Sequence, residues 1–285
     1  MYISLSNAYL LSGELATLLS GRYVEIKMLP LSFKEYISSF QDKTDLIIKY
    51  NNYLLNSSFP YVLNLKNRKD VLAYLDGIYS SILLKDIVSR HKIQDIEMLN
   101  SVISYIFDNI GNLTSSTKIA NTMTSVGRKI SVRTVENYLT ALSESFIIYK
   151  VGRYDVKGKQ YLTTGFKYYI ADIGLRYYLL GTKRADMGHI LENVIYLELL
   201  RRGYRVYVGK VGTAEVDFVA VNENGTEYYQ VAYSVMDENT LNRELVSLDS
   251  IRDHNPKYLL TMDFVPPVSY NGIKQINALD WLLKN

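Results

Sequence analysis

Two acidic residues occupy positions from which a metal-dependent hydrolase could hold its metal ion. Glu192 lies in a stretch with helical periodicity, and Asp217 lies in a later run typical of a β-strand. Gln230 and Ala232 follow in the next strand-like run, where a spacing of two places them on one face. Carboxylates bind hard divalent cations such as Mg²⁺, which can activate water for hydrolysis. Glu192 and Asp217 are therefore candidate metal ligands.

The elements that would position these residues can be read from the hydrophobic pattern. A helix is predicted over residues 189–202, with Gly203 as its stop, because apolar residues recur there at helical spacing. Three runs rich in Val and Tyr follow, and Gly209, Gly212 and the turn 222–225 separate them. They predict strands over 205–208, 215–221 and 227–233.

This order of a helical Glu, a strand Asp and a third motif strand resembles the PD-(D/E)XK nuclease fold. In that family carboxylates hold the cation, and a lysine helps to polarise the attacking water. The chain departs from the pattern at residues 230–232, which read Gln-Val-Ala where the family has (Asp/Glu)-x-Lys. The resemblance implies a nuclease-like fold with a degenerate site. Lys210 could replace the lysine, but no residue in the pattern replaces the third carboxylate; alternatively, Glu192 and Asp217 are merely solvated or structural acids.

The composition is that of a globular chain long enough for two or three domains. Of its 285 residues, 48% are hydrophobic and 21% charged. The absence of cysteine excludes disulfides and thiol catalysis and fits a reducing compartment. Three widely spaced histidines argue against a histidine metal cluster. No apolar run is long enough to span a bilayer and no signal sequence is evident, so we expect a cytoplasmic protein without a membrane partner.

Positive charge is concentrated in residues 99–160, which carry eight basic and four acidic residues, against a net charge of +3 for the whole chain. Much of this segment, 112–163, is predicted to be a winged helix: a helix over 114–123, a turn with Gly127, a second helix over 131–145, and a hairpin of strands 146–151 and 160–163. In such a module the second helix enters the major groove of DNA and the wing contacts phosphates. The alternative is a module that packs against protein. The candidate DNA contacts are Arg128, Lys129, Arg133, Thr134, Asn137, Thr140, Arg153, Lys157 and Lys159.

Several further phrases suggest a larger relationship. Residues 19–22 read Leu-Ser-Gly-Arg, and residues 24–36 read Val-Glu-Ile-Lys-Met-Leu-Pro-Leu-Ser-Phe-Lys-Glu-Tyr. Together with residues 74–86, 169–175, 215–218 and 281–283, they resemble the prokaryotic ATPases that join an AAA core to the region called domain of unknown function 4143. The resemblance extends over nearly all of the chain.

The resemblance implies roles for two residues near the N-terminus. Asn7 would take the position of a sensor for the γ-phosphate, and Arg22 that of an arginine that contacts a phosphate. The intact family uses ATP and magnesium, but this sequence has no Gly-x-x-x-x-Gly-Lys-Ser/Thr loop to hold the phosphates. We therefore expect a fragment of a longer ATPase that needs no cofactor itself. Alternatively, Asn7 is a helix cap and Arg22 a surface charge.

The expected fold is mixed α+β. Residues 1–40 would be the remnant of the AAA core, and 41–111 a helical connector with helices over 45–55, 70–90 and 96–109. The winged helix of 112–163 would precede a nuclease-like domain over 164–285, a mixed sheet covered by helices. The further strands of this domain are predicted over 167–170, 257–262 and 272–276. Its further helices are predicted over 238–254 and 278–284, together with a short helix capped by Asp172.

The expected function is binding without catalysis. The first candidate partner is double-stranded DNA, and the others are the missing ATPase core or another protein. Two alternatives stay open: an active metal-dependent nuclease that uses Glu192 and Asp217, and a regulator that contacts proteins alone. An oligomer is compatible with the sequence.

Overall fold

The computed structural model describes residues 26–81, 87–182 and 186–284. Asn7, Arg22 and most of the predicted AAA remnant lie outside these residues. The described part combines helices with an eight-stranded mixed sheet. The predicted mixed α/β class is therefore confirmed.

Helices form the first half of the described chain, and most begin at a polar side chain that accepts a hydrogen bond from a backbone N–H of the first turn. The helices are α1 (Phe33–Ser38), α2 (Leu46–Asn56), α3 (Arg68–Ile78), α4 (Val88–His91), α5 (Ile96–Asp108), α6 (Ser116–Ser125) and α7 (Val132–Glu144). A 3-10 turn, Pro60–Asn64, separates α2 from α3.

The predicted helix over 70–90 is described in part, because residues 82–86 lie outside the described ranges. The α-helix α3 ends at Ile78, residues 79–81 and Ile87 adopt wider π-helical turns, and α4 begins at Val88. A π-turn shifts the phase of an apolar stripe without ending it. The hydrophobic pattern therefore could not show where the α-helical geometry stops.

Strands and helices alternate in the second half. The strands are β1 (Ile148–Asp155), β2 (Gln160–Ile170), β3 (Arg205–Val211), β4 (Ala214–Asn222), β5 (Gly225–Ala232), β6 (Lys257–Thr261), β7 (Val268–Tyr270) and β8 (Ile273–Asn277). Their order in the sheet is β2-β1-β3-β4-β5-β6-β8-β7. Strand β3 runs parallel to β1, strand β6 runs parallel to β5 and β8, and the other neighbours are antiparallel.

The second half contains four helices: α8 (Ile173–Leu180), α9 (Met187–Arg201), α10 (Glu238–Asp249) and α11 (Ala278–Leu283). Of these, α9 and α10 cover opposite faces of the sheet. Strand β4 shows the two faces, because Phe218 and Ala220 join the large core that includes α9, whereas Val216 and Val219 join a smaller core that includes α10. The large core also takes in the buried faces of α1, α2, α3, α5, α6 and α7.

The predicted wing is the edge of this sheet. Instead of a short strand over 160–163 and a separate one over 167–170, a single strand β2 runs from Gln160 to Ile170 and pairs with β1. A register shift between Val151 and Arg153, together with the positive φ of Gly165, absorbs the irregular middle of the hairpin. The predicted boundary at residue 163 therefore falls inside a strand.

Asp172 joins the sheet to the helical half. One carboxylate oxygen accepts a hydrogen bond from the N–H of Leu175 at 2.7 Å, which confirms the predicted cap of α8. The other oxygen accepts from the backbone N–H and the hydroxyl of Ser58, each at 2.6 Å. Burial raises the pKa of Asp172, and the hydrogen bonds from Ser58 oppose the rise.

Within the described ranges, none of the helices is long and apolar enough to cross a bilayer.

Candidate functional site

Helix α9 presents Glu192 to the sheet. Asp186 caps the helix by accepting hydrogen bonds from the N–H groups of Gly188 and His189. The next residue, Asn193, is fully buried and bonds both backbone groups of Ile170 on β2, its Oδ1 accepting at 2.8 Å and its Nδ2 donating at 2.9 Å. This pairing holds α9 against the end of β2, where Glu192 is buried.

Asp217 lies where two strands separate. The backbone pairing of β4 with β5 runs from Asn222 and Gly225 to Phe218 and Tyr229. Next to its end, Asp217 Oδ2 accepts a hydrogen bond from the N–H of Val231 at 2.9 Å, and Gln230 Oε1 accepts from the N–H of Asp217 at 3.3 Å. The side chains thus replace backbone hydrogen bonds in the gap.

A buried lysine connects the acidic residues. The Nζ atom of Lys167, on β2, lies 2.9 Å from Glu192 Oε1, 2.9 Å from Glu215 Oε1 and 3.4 Å from Asp217 Oδ1. Tyr169, two residues further along β2, donates its hydroxyl to Glu192. The side chain of Lys167 is only 4% exposed. We call these five residues the Lys167 cluster.

The cluster corrects the prediction that the site lacks a lysine and a third carboxylate. Both are present, but on other elements than the family pattern implies: Lys167 comes from β2, and Glu215 lies two residues before Asp217 on β4. Lys210, the predicted replacement, is half-buried on β3 opposite Glu215. The ammonium that contacts Asp217 belongs to Lys167.

Neighbouring charges in the cluster shift the pKa values of Lys167 and Asp217. Burial acts to lower the pKa of Lys167, but the charges of Glu192, Asp217 and Glu215 raise it above its ordinary value, so the ammonium stays protonated. Burial and the charge of Glu192 raise the pKa of Asp217 to about 7, against the opposing effect of Lys167. The carboxyl group of Asp217 therefore titrates near neutral pH.

Gln230 and Ala232 lie toward α10. The amide nitrogen of Gln230 donates to Glu244 Oε2 at 2.7 Å, and its oxygen accepts from the hydroxyl of Ser247 at 3.3 Å, both on α10. Ala232 is buried in the core beneath the same helix. Neither residue contributes a charge to the cluster.

The cluster fits an ammonium group better than a metal ion. In the described ranges, no three acidic, histidine or cysteine side chains form a group that could hold a metal. The predicted ligands Glu192 and Asp217 do come together, but both carboxylates contact the ammonium of Lys167. A divalent cation would have to displace it.

One signal in the sequence could have identified Lys167. It lies in the run Phe-Lys-Tyr-Tyr-Ile of residues 166–170, which otherwise has the composition of a buried strand. A lysine at such a position is seldom buried without a partner of opposite charge. The pattern could have indicated that a partner exists, but it could not have identified which acids supply it.

The predicted helix-turn-helix is present as α6 and α7. Ser115 and Ser131 cap the two helices, and Gly127 adopts a positive φ in the turn between them. Arg133, Asn137 and Thr140 are exposed on α7, whereas Thr134 is half-buried, and its hydroxyl lies 2.8 Å from that of the cap Ser131. Helix α7 thus presents a polar face.

The other predicted DNA contacts lie in different surroundings. Lys129 is exposed in the turn, but Arg128 donates to Ser101 Oγ at 2.8 Å and to the backbone oxygen of Glu97, so it is bound to α5. Arg153 is half-buried, and its Nε has no hydrogen-bond partner among the described residues. Lys157 and Lys159 are exposed in the turn between β1 and β2.

Comparisons with known proteins give relatives but no activity. A family model described as a domain of unknown function (DUF8612) matches residues 47–186. An uncharacterized protein of Methanocaldococcus jannaschii is 31% identical over 257 residues, which are 84% of this chain and 56% of that protein. No solved structure matches the chain significantly.

An uncharacterized protein of Haemophilus influenzae is more similar. It is 43% identical over 282 residues, which are 98% of this chain and 70% of that protein. An identity this high over almost the entire chain implies a shared fold. The chain therefore belongs to the same protein family as the Haemophilus influenzae protein.

Proposed function

We propose that this chain is the DNA-binding, non-cleaving C-terminal part of a longer AAA-type ATPase. The observation that carries the proposal is the exposed face of α7. Arg133, Asn137 and Thr140 follow one another there at spacings of four and three residues and are all exposed. A helix with such a face can enter the major groove of duplex DNA.

The core holds α7 in a fixed orientation. Its inner side buries Val135, Tyr138, Leu139 and Leu142, and Ser131 accepts a hydrogen bond from Thr134 N at 3.0 Å at its N-terminus. On the outer side, Arg133 is of the type that forms two hydrogen bonds with guanine, and Asn137 is of the type that forms two with adenine. Glu136 is also exposed. Because a carboxylate repels phosphates but accepts from the amino group of cytosine, it favours contact with base edges at that position.

Duplex binding should weaken when Arg133 is replaced. We expect Arg133→Ala to reduce the affinity for a fluorescent duplex about tenfold, and a phosphate contact would also lower the slope of log affinity against log salt by about 1. Anisotropy titrations at several salt concentrations measure both. Lys69→Ala is the matched control, because Lys69 is an exposed cation on α3, which is not part of the helix-turn-helix. Equal loss in both variants, or no binding at low salt, would refute the DNA proposal.

The proposal of no cleavage depends on Lys167. Its ammonium satisfies the carboxylates that a nuclease would offer to its metal, and every member of the cluster except Glu215 is almost completely buried. We expect no cutting of duplex or single-stranded DNA with added Mg²⁺ or Mn²⁺, measured by gel electrophoresis. Asp217→Asn is the control for a contaminating nuclease. Cutting by the natural chain that disappears in Asp217→Asn would contradict the proposal.

That result would favour a second candidate function, metal-dependent cleavage. Its support is the element order: α9 with Glu192, the antiparallel strands β3, β4 and β5, then α10 and β6 parallel to β5. Asp217 at the separation of β4 and β5 also agrees with the nuclease-like resemblance. The burial of Lys167 between the carboxylates makes this the weaker candidate.

The ATPase part of the proposal concerns the longer proteins. The chain spans 70% of the Haemophilus influenzae relative and 56% of the Methanocaldococcus jannaschii relative. A phosphate-binding loop and its ATP and magnesium would belong to the remaining part of such a protein. That core, or another protein, would be the partner of this chain, and the function would be cytoplasmic. A chain that binds only protein would fail the duplex assay.

A further inference from the structure

Three tyrosine rings form a contiguous group at one end of the sheet. Tyr154 comes from β1, Tyr161 from β2 and Tyr207 from β3. The ring centroid of Tyr161 lies 5.4 Å from that of Tyr154 and 5.1 Å from that of Tyr207, and the latter two are 6.2 Å apart. We call this group the tyrosine triad.

The strand register places the triad on the face of the sheet that α10 covers further along. Tyr154 pairs with Tyr161 on one side and with Gly209 on the other, and Tyr207 lies two residues before Gly209. Tyr154 and Tyr207 pack against the core beneath α10. Tyr161, on the edge strand, is 66% exposed in the described structure.

A glycine allows β3 and β4 to approach closely beside the triad. A Cβ atom at Gly209 would lie 2.8 Å from Val219 Cγ2 and 3.1 Å from Val216 Cβ, so a larger residue would push β4 away. Gly209 thus lets β3 lie close to β4 beside Tyr207.

Cations border the triad. Lys157 and Lys159 are exposed in the turn that joins β1 to β2, a few residues from Tyr154 and Tyr161. Arg205 is exposed on β3, two residues before Tyr207 and on the same face. Burial and a hydrogen bond with Tyr161 raise the pKa of the Tyr207 hydroxyl, and the positive charge of Arg205 acts to lower it. The acid in this hairpin, Asp155, uses one oxygen to accept from Gly158 N at 2.8 Å.

One exposed and two half-buried aromatic rings beside exposed cations fit a chain of unpaired bases and phosphates. Bases stack on aromatic side chains whatever their sequence, while lysine and arginine attract the backbone. Duplex DNA buries the faces of its bases, so it cannot use the rings in this way. We propose that the tyrosine triad is a binding site for single-stranded DNA, with bases stacked on Tyr161 and Tyr207 and phosphates held by Lys157, Lys159 and Arg205. This site is separate from the exposed face of α7.

The test is the affinity for a labelled oligothymidine of about 15 nucleotides. We expect Tyr161→Ala to weaken binding by about fivefold or more, whereas Tyr161→Phe, which keeps the ring, should bind nearly as well as the natural chain. Tyr61→Ala is the matched control, because Tyr61 is 56% exposed but lies in the 3-10 turn. Replacing Lys157 and Lys159 together by alanine should lower the salt slope by about 1.4. Circular dichroism checks that the variants are folded.

Two results would overturn the proposal. One is no binding of the oligonucleotide at low salt. The other is binding that falls with the lysine replacements but is equal in Tyr161→Ala and Tyr61→Ala, because charge alone would then explain it. Duplex affinity is measured separately: its absence would refute the function proposed for α7 without affecting the tyrosine triad.

Discussion

Replacing Lys167 by methionine is expected to lower the free energy of unfolding by about 3–5 kcal/mol at neutral pH. Methionine keeps most of the apolar volume but removes the ammonium that contacts Glu192, Glu215 and Asp217. Two of these carboxylates are almost completely buried. Without a compensating cation they must be protonated or repel each other in a medium that stabilises charge poorly.

The loss should depend on pH in a defined direction. The pKa of Asp217 is raised to about 7 even with Lys167 present, so its contribution favours the folded state below its ordinary pKa near 4 and is lost as pH rises through about 7. Removal of Lys167 takes away a charge that opposes this rise, so the pKa of Asp217 rises further. The difference between the natural chain and the variant should therefore be large at pH 7–8 and become smaller on acidification toward pH 5.

Urea unfolding followed by circular dichroism at several pH values measures this difference. Lys210→Met is the matched control, since it removes a half-buried lysine from the neighbouring part of the sheet without affecting the ammonium of the cluster. We expect the control to cost less than about 1 kcal/mol. Equal losses in the two variants, or a loss for Lys167→Met that does not change with pH, would show that the ammonium of Lys167 does not stabilise the buried carboxylates.

Replacing Gly174 by alanine should destabilise the junction between the helical half and the sheet. A Cβ atom on Gly174 would lie 2.5 Å from the backbone N and Cα of Ser57. These are main-chain atoms, so no rotation of a side chain relieves the clash. The neighbouring hydrogen bonds of Asp172 with Ser58 would be displaced with them. We expect a loss of about 3 kcal/mol or more of unfolding free energy.

The same replacement of glycine by alanine at Gly77 is expected to stabilise the fold. Gly77 lies within α3, and a Cβ atom there would have no neighbour within 4 Å among the described residues. Alanine should therefore stabilise the helix by up to about 1 kcal/mol, because it has the higher helix propensity. Thermal and urea unfolding of both variants provide the comparison. A Gly174→Ala chain as stable as the natural one would mean that α8 and the segment after α2 are not in close contact.

The local elements of the nuclease-like half could be predicted from short-range patterns. Helix α9 follows from an apolar stripe ended by Gly203, and β3, β4 and β5 follow from Val- and Tyr-rich runs separated by glycines. The cap at Asp172 was likewise predictable, because the signal and its partner Leu175 lie three residues apart. Each of these features depends on neighbours within one or two turns of chain.

The Lys167 cluster depended on the tertiary structure. Lys167 and Glu192 are 25 residues apart, and Lys167 and Asp217 are 50 apart. They meet because β1 and β2 join the sheet beside β3 through a parallel pairing, and because Asn193 holds α9 against β2. Strand order and register are set by packing between distant segments, and periodicity within a segment carries no information about them. Short-range patterns therefore sufficed to predict α9, the strands β3 to β5 and the acids Glu192 and Asp217, whereas the packing of β2 against α9 places a lysine between these acids.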